Sequence, residues 1–292
     1  MNHDEILSTI GSVNHPVAIG GYDSDDFDND CQIYNLVIFD GQDNSDEIVT
    51  SDSTIFKISH GNLLEHDSQT LLSYENLKII QDEQWDLKQL LSKIREKRDT
   101  LFTSSTKNSL VESQFALSKA KNSLEIDDPF LPCWIKCASI SLIDSILLQN
   151  QIIPNPTHSL SLLRNLKHEK NNQFSEKIIS EIGIERATPS LLTRMLKSSC
   201  GFTGMVGNND NGIIIEKKAN YLIENSLLSD CYLYLIYQNK NNFYKIKDSL
   251  NVNSDKIHVL KTAFDLPSHS SELLDYIDSL MKIVNSTLNQ AR

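Results

Sequence analysis

The feature that most constrains this chain is a change of hydrophobic period near Trp85. Before it, apolar residues come in short runs broken by glycines and acidic loops. Val17 to Gly20 ("VAIG") is one, stopped by the Gly20-Gly21 pair; Gln32 to Asp40 ("QIYNLVIFD"), Ser53 to Ser59 ("STIFKIS") and Asn76 to Gln81 follow. Short runs with such stops read as strands. After Trp85 the spacing becomes three and four. Leu87, Leu90, Leu91 and Ile94 share one stripe, Leu110, Leu117, Ala120 and Leu124 a second, and Ile135, Ala138, Leu142 and Ile146 a third. The last helix is written by Leu273, Ile277, Leu280, Met281, Val284 and Leu288, and Thr188 followed by Pro189 marks a helix start, a capping hydroxyl with proline in the first turn. Residues 4–13 read as a short helix and Asp40 to Glu47 as a polar turn. The expected fold class is α+β: a mixed-sheet domain over residues 1–84, then an all-α helical bundle over 85–292, with the glycine-rich segment 201–212 ("GFTGMVGNNDNG") as a joint between helical subunits.

Charge is unevenly spread, and its position matters more than its total. Residues 1–70 hold 14 Asp and Glu against one base, Lys57, so the whole net charge of −12 sits in the first quarter of the chain. Such a segment repels nucleic-acid backbones, since phosphate binding needs Lys or Arg to displace counterions. A nucleic-acid partner for this domain is not expected. No apolar run is expected to cross a membrane, and the acidic N-terminus is unlike a cationic secretion signal, which points to a cytoplasmic address. Five cysteines at scattered spacings (Cys31, Cys133, Cys137, Cys200, Cys231) are expected as free thiols rather than disulfides or a zinc site.

The stretch Val17 to Gly41, "VAIGGYDSDDFDNDCQIYNLVIFDG", carries the chemistry to be weighed. It resembles the nucleotidyltransferase superfamily of the DNA polymerase beta and minimal type: a strand, a Gly-Gly turn, a loop of about ten residues, and a second strand that in active members reads like "SDIDLLV". Aspartates two apart on a strand point to one side. With a third acid on a neighbouring strand they would hold two Mg²⁺ ions that clamp a triphosphate and activate a hydroxyl. The resemblance places Gln32 and Tyr34 on the paired-acid positions and Thr54 or Phe56 on the third. Gly20 and Gly21 would be the nucleotide-binding turn. A unit anion about 4 Å from a divalent cation is worth on the order of 8 kcal/mol at an effective dielectric near 20, so losing two or three such charges removes many decades of metal-dependent rate.

This leads to an expectation of a catalytically degenerate nucleotidyltransferase-fold protein with no cofactor, acting as a binding or regulatory module for a protein partner or a small ligand in an interdomain cleft. One alternative is an active Mg²⁺-dependent nucleotidyltransferase moving a nucleoside monophosphate to a hydroxyl, with Asp26, Asp28 and Asp30 as a displaced metal site. A second is a structural subunit whose acidic domain is a docking face. The three aspartates do not make a calcium loop, because that pattern needs Gly and Glu where Cys31 and Val37 stand. "GFTGMVG" lacks the preceding strand and the GK[ST] of a phosphate loop. The basic run Lys93, Arg95, Lys97 and Arg98 reads as a solvated helix face. His15, His60, His66 and His158 show no catalytic pairing by spacing, and Arg164 with His168 departs from the spacing of helical ribonucleases of the HEPN type.

Overall fold

The computed structural model describes the chain except for residues 1–10, 12, 21–30, 43–45, 52–53, 127, 167–173, 208, 251–255, 267–272 and 291–292. The architecture is α+β, a mixed five-stranded sheet followed by helices. The strands are β1 (Val17–Ile19), β2 (Ile33–Ile38), β3 (Glu47–Ser51), β4 (Thr54–His60) and β5 (Lys78–Gln81). Their order in the sheet is β3-β4-β2-β1-β5, with β2 and β4 parallel and the other pairs antiparallel. Central β2 is apolar on alternate and adjacent positions because both of its faces are covered, and Ile33 and Leu36 have no exposed surface. Strand β3 was not expected from the sequence. It offers only Ile48 and Val49 as apolar residues, too few for a period, and exists because its backbone pairs with β4, with Val49 opposite Phe56.

Helix α1 (Ser68–Ser73) is capped by Asp67, whose side chain accepts from the Thr70 amide, and α2 (Asp86–Glu96) buries the expected Leu87, Leu90, Leu91 and Ile94. The chain then divides into two compact units, Met1–Phe102 and Thr103–Arg292. The change of period at residue 84 and the division into compact units are thus different boundaries, and α2 goes with the sheet. Lys93, Arg95 and Lys97 are exposed on it, while Arg98 turns back to pair with Glu75 and covers the Phe102 ring.

Close approach explains one glycine in the sheet unit. A Cβ on Gly61 would sit 2.9 Å from both the Phe39 ring and Val37 Cγ1. Those neighbours are core side chains, so Gly61→Ala is expected to cost about 1–3 kcal/mol through overpacking, read as a lower urea midpoint at unchanged slope.

The second unit contains α3 (Arg98–Glu125, shared across the division), α4 (Leu131–Gln149), α5 (Ser159–Arg164), α6 (Ser175–Ile182), a 3-10 turn (Ile184–Arg186), α7 (Pro189–Met205), α8 (Asn209–Glu224), α9 (Leu228–Leu250), α10 (Lys256–Ala263) and α11 (Leu273–Gln290). Thr188 caps α7 by accepting from the Leu191 amide, with Pro189 at its first position, as its sequence requires. The glycine-rich segment 201–212 forms the end of α7, a turn with Gly207 at φ +80°, and the start of α8, two helices that pack together in one unit.

Helix α4 is the axis of this unit. It packs against α5, α6, α9 and α11 and is buried all round rather than along one stripe. Among the described residues it is the one helix with the length and apolarity of a membrane span, which corrects the expectation that no such segment exists; 94% of that window is buried inside the fold, as in a core helix. All five cysteines are free, and all but Cys200 are buried.

Candidate functional site

The positions singled out by sequence lie at the start of β2. Gly20 follows β1 with φ +119°, and its amide donates to the Asn35 carbonyl at 2.9 Å, extending the β1–β2 ladder. A Cβ there would meet the Asn76 carbonyl at 3.3 Å. The glycine is therefore accounted for by the sheet, and its N–H is committed to Asn35 rather than open to a phosphate. Gly21, Asp26, Asp28 and Asp30 fall outside the described residues. Gln32 sits just before β2 in a left-handed conformation (φ 54°), and its carbonyl accepts from the Ile55 amide at 2.9 Å, which opens the parallel β2–β4 pairing.

Tyr34 and Phe56 face each other across that pairing. They are register partners, with ring centroids 5.8 Å apart and planes tilted by 25°. The stack belongs to an apolar cluster in which Leu36, Phe56 and Ile58 are buried and Ile19, Tyr34, Ile38, Val49 and Ile80 pack around them. Side chains on one face of parallel strands are held together by this burial. Where the resemblance would put two metal-binding acids on facing strands, the sheet carries an aromatic pair. Among the described residues no three or more His, Cys, Asp and Glu side chains gather in a way that could hold a metal ion.

Sequence spacing missed a pair at the opposite end of the same two strands. His60 Nδ1 lies 2.8 Å from Asp40 Oδ2, with both side chains about nine-tenths buried. Burial alone would raise the Asp40 carboxyl; the Gln42 amide, together with the hydrogen bond and charge of His60, outweighs it and holds the carboxyl below its ordinary value. Facing a carboxylate, Nδ1 is the ring nitrogen that donates, and the ring's other nitrogen is Nε2. That nitrogen is buried with no hydrogen-bond partner. The pair ties the exit of β2 to the end of β4, and twenty residues of separation hid it from any motif.

In the second unit, Lys136 of α4 is buried and donates to Tyr232 Oη (2.9 Å), the Phe264 carbonyl (2.6 Å) and the Asp265 carbonyl (3.1 Å). Tyr232 Oη donates in turn to Asp265 Oδ2 at 2.9 Å, and Arg186 reaches Asp265 Oδ1 at 2.9 Å. Burial pushes Lys136 down to about 7, Asp265 opposing it and Arg186 adding to it. All three ammonium protons have acceptors, so this is a satisfied internal tie. It joins α4, the 3-10 turn, α9 and the end of α10.

No protein-family model matches the chain. No curated protein matches it. Among solved structures, the chain is similar to a nucleotidyltransferase-like protein from Exiguobacterium sibiricum 255-15, at 10% identity and a TM-score of 0.33, over 61% of this chain and 71% of that one. Backbone similarity at that level carries no functional argument.

Proposed function

We propose that the sheet unit is a nucleotidyltransferase-type scaffold that does not transfer nucleotides and serves as a binding or regulatory module for a protein or small ligand. The observation that carries this reading is the Tyr34–Phe56 stack on the facing positions of β2 and β4. A phenol and a phenyl ring supply no carboxylate oxygen, and magnesium chemistry depends on anionic oxygens that cancel the ion's charge. The Gly20 amide, engaged by Asn35, supports the same reading, because a phosphate-binding turn needs open N–H groups.

The test is a pair of measurements on the full chain. Thermal melts with MgATP, MgCTP, MgGTP or MgUTP are expected to show no shift, since a ligand that binds the native state must raise its stability by mass action. Incubation with magnesium and a labelled NTP is expected to transfer no label to protein or small hydroxyl acceptors. Transfer that is weakened by Asp28→Asn would overturn the proposal and establish a metal site in the acidic loop instead.

A further inference from the structure

A buried lysine and a buried carboxylate lie near a half-exposed carboxylate in the helical unit, and the lysine is bonded only to the half-exposed one. Lys240 of α9, 5% exposed, lies 2.9 Å from Glu112 Oε2 of α3. The same Glu112 oxygen accepts from Ser141 of α4 at 2.9 Å. One turn beyond Ser141, Asp144 is 7% exposed, and its Oδ1 is buried with no hydrogen-bond partner. A buried carboxylate oxygen without a donor is costly as an anion and far less so as an acid.

We propose that Asp144, Glu112 and Lys240 form a proton-operated switch at the α3–α4–α9 junction: Asp144 holds its proton in the closed junction, and its ionisation draws Lys240 away from Glu112. The charged groups acting on Asp144 are Lys240 from α9 and Glu112 from α3; among the described residues none from α5, α6 or α11 does so. Among the described residues, Cys137 on its own helix and Tyr244 on α9 also feel Glu112, and burial raises both well above their ordinary values, keeping them neutral. Burial pushes Asp144 up to about 7, Lys240 opposing it and Glu112 reinforcing it.

The sign follows from linkage. The folded chain keeps a proton on Asp144 that the unfolded chain loses near the ordinary value of 3.8. This contribution to stability is fully present below about 3.8 and is lost as pH rises through about 7. Above that point the ionised Asp144 competes with Glu112 for a single base, and the junction loosens.

The experiment follows the unfolding midpoint from pH 4 to pH 9 in the wild type, Asp144→Asn, Glu112→Gln and Lys240→Met, with amide exchange across α4 at pH 8.5. In the wild type the midpoint is expected to fall as pH rises towards 7, and this decline is expected to vanish in Asp144→Asn. Glu112→Gln frees Lys240 for Asp144 and should move the transition to lower pH; Lys240→Met should move it higher. At pH 8.5, α4 amides are expected to exchange about tenfold faster in the wild type than in Asp144→Asn. An unchanged pH profile in Asp144→Asn would overturn the switch. So would Glu112→Gln leaving the transition in place, a comparison that stands even if Lys240→Met fails to fold.

Discussion

Replacing Lys136 with methionine is expected to lower the unfolding midpoint of the helical unit by about 10 °C. Methionine fills the methylene space of lysine but donates nothing, so the Phe264 and Asp265 carbonyls and Tyr232 Oη lose their shared donor inside the core. Below about pH 7 the Asp265 carboxylate also loses a nearby cation and keeps Arg186, which is about half exposed. Removing one member of a buried ionic tie costs about 3–5 kcal/mol, and in a unit of this size each kcal/mol moves the midpoint by about 2–4 °C. A calorimetric scan that separates the transitions of the two units measures it. A shift under about 3 °C would mean that the tie is already relaxed in solution.

The deficit is also expected to depend on pH. Lys136 is lowered from an ordinary 10.5 to about 7, so between those values the unfolded chain binds a proton that the folded chain does not. Stability from this group therefore rises as pH increases from about 7 towards 10.5. The wild type has that slope and Lys136→Met lacks it, so the gap between them is expected to be wider at the alkaline end of this window than at its neutral end.

Truncating Phe243 to alanine is the second large effect, expected at about 3–5 kcal/mol. Phe243 on α9 has no exposed surface and stands at the centre of an aromatic cluster. Its ring centroid lies 4.9 Å from Trp134, 5.9 Å from Phe130 and 6.1 Å from Phe264. These residues come from α4, the turn before it and the turn after α10, so one side chain fills the space where three segments converge. The packing cannot fully collapse around alanine, because Trp134 is also held by Phe115 and Tyr244. Phe243→Leu keeps most of the volume and is expected to lose less than half as much. Equal losses in the two variants, by urea unfolding, would show that ring volume is not what the site requires.

Local order was legible where it follows from neighbours in the chain. The Gly20-Gly21 stop, the apolar run before Asp40, the alternating run Ser53 to Ser59, the Thr188-Pro189 cap and the stripe from Leu273 to Leu288 each specify an element through backbone sterics or side-chain period, and β1, β2, β4, α7 and α11 follow them. Strand β3 was not legible because a two-residue apolar run has no period; its partner β4 confers the structure. Helix α4 was read as one stripe because apolar residues fall at three and four, yet its serines, Lys136 and Asp144 are buried as well. A polar residue in the interior looks like a surface residue until its hydrogen-bond partners are in place.

The candidate positions divide in the same way. Sequence showed that Gln32 and Tyr34 are not acids; it could not show that Tyr34 stacks on Phe56 or that the Gly20 amide belongs to Asn35. What the sequence alone determined is the α+β order of elements and the concentration of negative charge in the first quarter, because periodicity, capping and formal charge are properties of neighbouring residues. Tertiary structure alone decided the pairing of Asp40 with His60, the tie from Lys136 to Asp265 and the pairing of Lys240 with Glu112. These contacts join residues 20 to 129 positions apart, and no local pattern encodes a pairing across such separations.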